Sequence, residues 1–149
     1  MRIFRPPNPI EKNTDKSIFL AGTIDMGNSD NWQEAICRAL AGKSYDIYNP
    51  RRDDWDASWR SDSSDQQFKQ QINWELDALE QSDLIIMNFL SGSQSPVTLI
   101  EFGLFARTNK LLVCCPREFW RSGNIHIVCE KYNVPVFENL EELLSNISP

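Results

Sequence analysis

Five short apolar runs, separated by stretches of helical periodicity, constrain this chain more than any other feature. Residues 17–21 read SIFLA and close on Gly22; residues 45–48 stop at Asn49-Pro50; residues 83–90 read DLIIMNFL; residues 111–115 and 134–137 complete the set. Runs of four to eight residues with little alternation bury both of their faces, as a strand does inside a sheet covered on both sides. Between the runs, Trp32, Ala35, Ile36, Ala39 and Leu40 mark one helix, with Ser29 or Asp30 as N-cap. Phe68, Ile72, Leu76 and Leu79 mark a second over 66–81. Ser95 is placed as N-cap of a third, with Pro96 at its first position and its body over 97–108, and a last helix is expected over 140–147. Strands alternating with helices imply a doubly wound α/β fold, flavodoxin- or Rossmann-like: a five-stranded, mostly parallel sheet with helices on both faces. Residues 1–16, with Pro6, Pro7 and Pro9, read as an extended N-terminal arm without a core of its own, and a single domain is expected over 17–149.

Several function classes fall away on composition. The longest apolar runs are far shorter than the roughly 20 residues a membrane helix needs. The opening MRIFRPPNPIEKN has no apolar signal core, so the chain is read as soluble and cytoplasmic, with no membrane partner. A net charge of -6 works against binding duplex nucleic acid through its phosphates. Cys37, Cys114, Cys115 and Cys129 form no CxxC pair and His126 is the single histidine, so a zinc set and a histidine-based triad are disfavoured, and the cysteines are read as reduced packing residues. The segment Gly22-Thr23-Ile24-Asp25 lacks the spacing of a dinucleotide loop, and no GxxxxGK[ST] occurs.

In an open parallel sheet, ligands bind beyond the carboxyl ends of the strands, which gathers the loops at 22–29, 49–65, 91–95 and 116–124 on one face. The helix opening at Pro96 reads PVTLIEFGLFA, and its one acid, Glu101, is flanked by apolar residues. A carboxylate so placed is costly unless it has a partner or a task; a solvated helix-dipole glutamate is the alternative. Glu75, beside Trp74, and Asp83, which opens a buried strand, stand out from Asp77 and Glu80, whose pattern is that of a solvated face.

The segments FLAGTID (19–25), NPRRDDWD (49–56), QINWELDALEQSDLII (71–86), SPVTLIEFGL (95–104) and VCCPREFWRSGNIHIV (113–128) together resemble the nucleoside 2-deoxyribosyltransferase superfamily, and more closely its nucleoside 2-deoxyribosyltransferase-like branch. The resemblance implies that Glu101 is the nucleophile, that Glu75 is the acid near the base, one methylene longer than the aspartate usual there, and that Asp83 matches the aspartate eight residues on. It implies a substrate-binding set of Gly22, Thr23, Asp25, Asn49, Arg51, Arg52, Trp55, Ser95 and Asn124. Ser95 replaces an aspartate of the transferases, as it does in a related deoxynucleoside 5'-monophosphate N-glycosidase. Asn124 lies about where the transferases place an asparagine from the adjacent protomer, so a homo-oligomer is expected.

The implied chemistry needs no metal or cofactor. A carboxylate attacks the anomeric carbon of a nucleoside or nucleotide, forms a glycosyl ester, and passes the sugar to another base or to water. Trp55, Trp59 and Trp120 are candidate stacking surfaces, with packing as the alternative for each. Ser95, the amides after Pro96 and Arg51 or Arg52 are expected to form an anion site favouring a 5'-monophosphate, against the opposing charge of Asp25. Transfer, hydrolysis of a monophosphate, and a nucleotide-binding or sensing module without turnover are the three readings.

Overall fold

A computed structural model describes residues 1–13, 15–25, 29–52 and 58–147. Its strands are β1 (Arg2–Phe4), β2 (Lys16–Gly22), β3 (Tyr45–Tyr48), β4 (Leu84–Asn88), β5 (Leu111–Cys114) and β6 (Val136–Phe137). Its helices are α1 (Trp32–Ala39), α2 (Gln66–Gln81), α3 (Pro96–Phe105), α4 (Ser122–Tyr132) and α5 (Leu140–Ser145). The six strands form one parallel sheet in the order β1-β3-β2-β4-β5-β6. This is the expected doubly wound α/β architecture with one strand more than the five read from the sequence.

The extra strand comes from the N-terminal arm. Three residues are too few for a periodicity signal, yet Arg2–Phe4 pairs with β3, and Arg2 clasps the buried Asp46 carboxylate through Nε at 3.0 Å and Nη2 at 2.6 Å. Trp74 Nε1 donates to the Asn8 carbonyl at 2.8 Å, and the Phe4 ring meets Tyr48 edge-on with centroids 5.8 Å apart. The arm is extended, and these side chains hold it against the sheet.

Alternation along the central strands builds two cores. Ile18, Leu20, Ile47 and Ile86 face α1 and α5 with Trp32, Ile36 and Leu143. Phe19, Ala21, Ile85, Met87 and Phe89 face the other way, with Trp74, Leu79, Phe102 and Ile125 of α2, α3 and α4. Helix α4 was not read from the sequence: Gly123 and three β-branched residues make SGNIHIVCEKY a poor helix former, and packing of Ile125 and Cys129 decides its state. At α1 the cap is Asn31, whose side chain accepts from the Glu34 amide, not Ser29 or Asp30.

Chain direction across the sheet reverses at β2, with β3 on one side and β4 on the other. At that switch point Gly22 has φ +144°, and a Cβ built on it would lie 2.2 Å from the Asn88 carbonyl oxygen and 2.8 Å from the Trp32 ring. Gly42, at φ +87°, has nothing within 4 Å of its would-be Cβ. Gly22→Ala should therefore lose at least about 2 kcal/mol in urea denaturation, from strain plus overpacking, whereas Gly42→Ala loses about 1 kcal/mol from strain alone. Equal losses would show that the backbone crowding at β2 and β4 carries no cost.

Candidate active site

The carboxyl end of β2 opens into a cavity of about 280 Å³, near the lower end of the roughly 300–1,000 Å³ typical of small-ligand sites. Its floor is Phe19, Ala21, Gly22 and Thr23 of β2 and the loop after it. One wall is α2, through Gln71, Ile72 and Glu75; the facing wall is the first half of α3, through Ser95, Val97, Thr98 and Glu101. Asp25, Pro50 and Arg52 close the rim. Of the eleven described residues among the twelve singled out from the sequence, seven line this cavity: Gly22, Thr23, Asp25, Arg52, Glu75, Ser95 and Glu101.

Two carboxyl groups face the same apolar space. Glu101 is 8% exposed and Glu75 half-buried. Burial pushes the Glu101 carboxyl up to about 8, and the charge of Glu75 adds to the shift. Burial also lifts Glu75 to about 7, against a hydrogen bond from Gln71 that pulls it down. Both carboxyls therefore keep their protons to higher pH than ordinary ones, Glu101 more strongly than Glu75.

A chain of hydroxyls lies at the start of α3. The Leu90 amide donates to Thr23 Oγ1 at 3.1 Å; Thr23 Oγ1 and Ser95 Oγ are 2.5 Å apart; Ser95 Oγ donates to Ser93 Oγ at 3.2 Å; Ser93 Oγ donates to Asp25 Oδ1 at 2.9 Å. Ser95 occupies the N-cap position as expected, but in the left-handed region (φ 48°), with no side-chain cap bond, because its hydroxyl turns to Thr23. Four non-glycine residues among those described have positive φ; two are asparagines, which tolerate it, and the other two, Asp25 and Ser95, both line the cavity.

The remaining sequence-derived residues lie elsewhere. Asp83 sits at the amino end of β4, where Ser17 gives it both its amide and its hydroxyl at 2.9 Å. Burial would raise its pKa, and the Ser17 bonds with the charges of Lys12 and Lys110 more than reverse that. The run from Glu75 down α2, at about 1.5 Å per residue, carries Asp83 to the amino ends of the central strands, away from the cavity. Arg51 is 6% exposed and turned away: it holds the Ser29 carbonyl at 2.7 Å, the Asp30 carbonyl at 3.1 Å and Gln33 Oε1 at 3.3 Å. Asn49 is buried, and its side chain accepts from the Arg51 amide, shaping the turn that sends Arg51 and Arg52 to different places. The expected anion cradle is thus not assembled with Arg51. Asn124 is exposed on α4, outside the cavity, and Trp55 lies outside the described residues. Arg52 packs over the Trp59 ring at 4.8 Å, and Trp120 Nε1 holds the Gln94 carbonyl at 2.9 Å, so neither tryptophan is a lining residue.

Gln71 and Thr98 were missed. Gln71 is 2% exposed, donates through Nε2 to the Pro50 carbonyl at 3.2 Å, and accepts from Arg52 Nη1 at 3.4 Å. Each stands one helical turn before a glutamate, Gln71 before Glu75 and Thr98 before Glu101, a same-face spacing that the sequence displayed. All four cysteines are free and buried, and burial raises the thiols of Cys114, Cys115 and Cys129 to about 11, 12 and 11, which leaves no thiolate for chemistry. Among the described residues no cluster of His, Cys, Asp and Glu is suited to hold a metal ion, and no helix is long and apolar enough to cross a membrane.

Comparison with known proteins bears on the same region. The family described as "Nucleoside 2-deoxyribosyltransferase like" matches residues 15–119, which span β2 to β5 and the whole cavity. No curated protein matches the chain significantly. Among solved structures, a conserved protein from Enterococcus faecalis is similar at 16% identity and a TM-score of 0.61, covering 88% of this chain and 96% of its own. The CMP N-glycosidase BcmB of Clostridium botulinum is similar at 21% identity and a TM-score of 0.54, covering 87% and 96%. At such identities the likeness is one of fold.

The raised carboxyl values have a measurable consequence. Both groups hold protons in the folded state that the unfolded chain releases near 4.5, so their contribution is intact below about pH 4.5 and is lost as pH rises through about 7 and 8. Each unit between folded and unfolded values is worth ~1.4 kcal/mol. Urea titrations at pH values across that window should show wild-type stability falling with pH, and Glu101→Gln should remove most of the fall. An identical slope in both proteins would mean that Glu101 ionises without penalty.

Proposed function

Since the chain belongs to the nucleoside 2-deoxyribosyltransferase-like family, we propose that it is an N-glycosyl enzyme that transfers the (deoxy)ribosyl group of a nucleoside through a covalent ester on Glu101. The observation that carries this reading is the pair Glu75 and Glu101 in one apolar cavity, each raised well above an ordinary carboxylate. Two such groups, one protonated and one ionised, supply an acid and a nucleophile together.

In the proposed step an oxygen of ionised Glu101 bonds to the anomeric carbon while the carbon–nitrogen bond to the base breaks. The electron pair of that bond goes to the base nitrogen, and Glu75 supplies a proton to the base. Because burial favours the proton on Glu101, a bound base that accepts a hydrogen bond from Glu75 is needed to draw it across the pair. A second base, or water, then attacks the anomeric carbon as its bond to the Glu101 oxygen breaks, the electron pair of that bond restores the Glu101 carboxylate, and Glu75 takes up the proton that the incoming nucleophile loses. Gly22 and Thr23 form the sugar-side floor, and Gln71 holds Arg52 beside the acid. The low-dielectric cavity strengthens the attraction between the Glu101 carboxylate and the positive charge that develops on the sugar.

A second reading, hydrolysis of a nucleoside 5'-monophosphate, draws support from the arginine in the cavity wall and from the fold shared with a CMP N-glycosidase. Both readings require the ester, which mass spectrometry detects. Wild-type protein incubated with a deoxynucleoside should gain the mass of one deoxyribosyl group, and Glu101→Gln should gain none. Equal labelling of both proteins would remove Glu101 as nucleophile; tight binding with no labelling and no cleavage would leave a binding module.

We also propose a homo-oligomer in which Asn124 serves a neighbouring cavity. Supporting this, Val97, Ile100 and Leu104 expose 52%, 63% and 57% of their surface along one side of α3, beginning at the cavity rim. In size-exclusion chromatography with light scattering, the wild type should elute as a dimer or larger at micromolar concentration. Ile100→Glu should shift it to the monomer, and a wild-type monomer with full activity would refute the shared site.

A further inference from the structure

The N-terminal arm is tied to α2 at the residues next to Glu75. Trp74, immediately before it, is buried and donates its indole N–H to the Asn8 carbonyl at 2.8 Å. Gln71, one turn earlier, donates to the Pro50 carbonyl at 3.2 Å, and Asn49, before that proline, gives its amide to the Phe4 carbonyl at 2.9 Å. At the end of the helix, Lys12 Nζ holds the Gln81 carbonyl at 2.9 Å. Phe4 and Ile10 pack into the same core as Trp74, Ala78 and Leu79. The arm thus grips α2 at its middle and its end, and also the turn that feeds the cavity rim.

Topology gives this grip a purpose. Helix α2 crosses from β3 to β4, α3 from β4 to β5 and α4 from β5 to β6, so α2 is the outermost of the three toward β1. On that flank the arm takes the place a further helix would fill. Its footing is Arg2, which clasps the buried Asp46 of β3 and donates through Nη2 to the Glu11 carbonyl at 2.9 Å. One guanidinium therefore anchors the arm to the sheet and draws its outgoing and returning limbs together.

Side chains leave a helix about 100° apart per residue, so Trp74 and Glu75 point to different sides of α2. A tie at Trp74 resists rotation of the helix, and rotation is the motion that would turn Glu75 out of the cavity. The charged groups around that cavity are Glu101 of α3 and Asp25 and Arg52 at the rim. The cations of the arm are turned elsewhere, Arg2 to Asp46, Arg5 to Glu34 and Lys12 to Asp83. The arm acts on Glu75 through the helix, not through charge.

We propose that the N-terminal arm is a strap that positions the acid of the site: by holding Trp74 at Asn8 and the Asn49 turn at Phe4, it fixes α2 on the sheet and keeps Glu75 facing the cavity of Glu101. Trp74 and Asp46 are then positioning residues. The consequence for catalysis rests on the N-glycosyl reading above; the strapping of α2 does not. The strap is made by residues outside the family match, which begins at residue 15.

Trp74→Phe keeps a buried ring and removes the N–H, and Asp46→Asn keeps the shape of the anchor and removes its charge. Ile36→Val, in the core on the other face of the sheet, is the control, and melting curves check that each variant folds. Hydrogen exchange read by mass spectrometry should be roughly fivefold or more faster in α2 of both arm variants, with α3 and the control unchanged. Burial lifts Glu75 to about 7, and carbon-13 NMR should show its titration in both arm variants moving down toward the ordinary carboxylate range, but not in Ile36→Val. With a nucleoside whose base leaves poorly, kcat should fall about tenfold at unchanged KM, and with an activated one it should barely change. Wild-type α2 exchange or a wild-type Glu75 titration in both arm variants, or equal shifts in Ile36→Val, would overturn the strap. A kcat that is unchanged, or that falls equally for both bases, would overturn its role in positioning the acid. Both shifts in a protein that neither labels nor cleaves any nucleoside would uphold the strap and overturn the N-glycosyl reading.

Discussion

Close contact between β2 and β4 at their carboxyl ends is the constraint on which the rest of the molecule depends. Gly22 pairs with Asn88, the Thr23 amide donates to the Asn88 carbonyl at 3.0 Å, and no side chain fits between them. The crossing from one side of the sheet to the other happens here, so the two loops that follow diverge and leave a crevice. One loop carries Thr23 and Asp25; the other leads through Ser93 and Ser95 into α3. Trp32 locks the first by donating to the Thr23 carbonyl at 2.8 Å, and Thr23 locks the second by accepting from Leu90. Floor and wall of the cavity are therefore positioned by backbone pairing of the central strands.

The cavity is electrostatically unfavourable to itself. Two carboxyl groups in largely apolar surroundings lie near a third, Asp25, in a chain of net charge -6. Burial holds protons on such a site, and in the proposed reaction it becomes favourable when positive charge develops on the sugar losing its base. The left-handed Ser95 belongs to the same economy of strain: its hydroxyl gives up the α3 amides in favour of Thr23, which leaves the helix start uncapped beside the ligand space. Arg51 illustrates the opposite use of charge, spent on tying the 29–33 segment to the end of β3.

Much of this was legible in the residue pattern because burial on two faces and helical periodicity survive in one dimension. The central runs at 17–21, 45–48, 83–90 and 111–115 all contain strands, and α2 has the bounds expected from its apolar spacing. Edge elements were less legible. Arg2–Phe4 is a strand because an arginine finds Asp46, and α4 is a helix because Ile125 and Cys129 find a core, neither of which leaves a local signature. In the site, Glu75 and Glu101 stood out as acids among apolar neighbours, whereas Gln71, uncharged and one turn upstream, had no such contrast.

The sequence by itself determined the central strands, the helices other than α4 and which acids are expensive, because those follow from side-chain type and spacing along one chain. Tertiary structure decided which polar residues meet. Glu75 and Glu101, twenty-six residues apart, face one cavity because α2 and α3 flank the same end of β4, while Asp83, eight residues from Glu75, is carried to the other end by the length of a helix. Adjacent Arg51 and Arg52 part company at a single turn after Asn49. The orientation of the hydroxyl chain is likewise invisible in sequence: which of Thr23, Ser93 and Ser95 donates is set by the carboxylate at its end, and only folding brings Asp25 to Ser93 across sixty-eight residues.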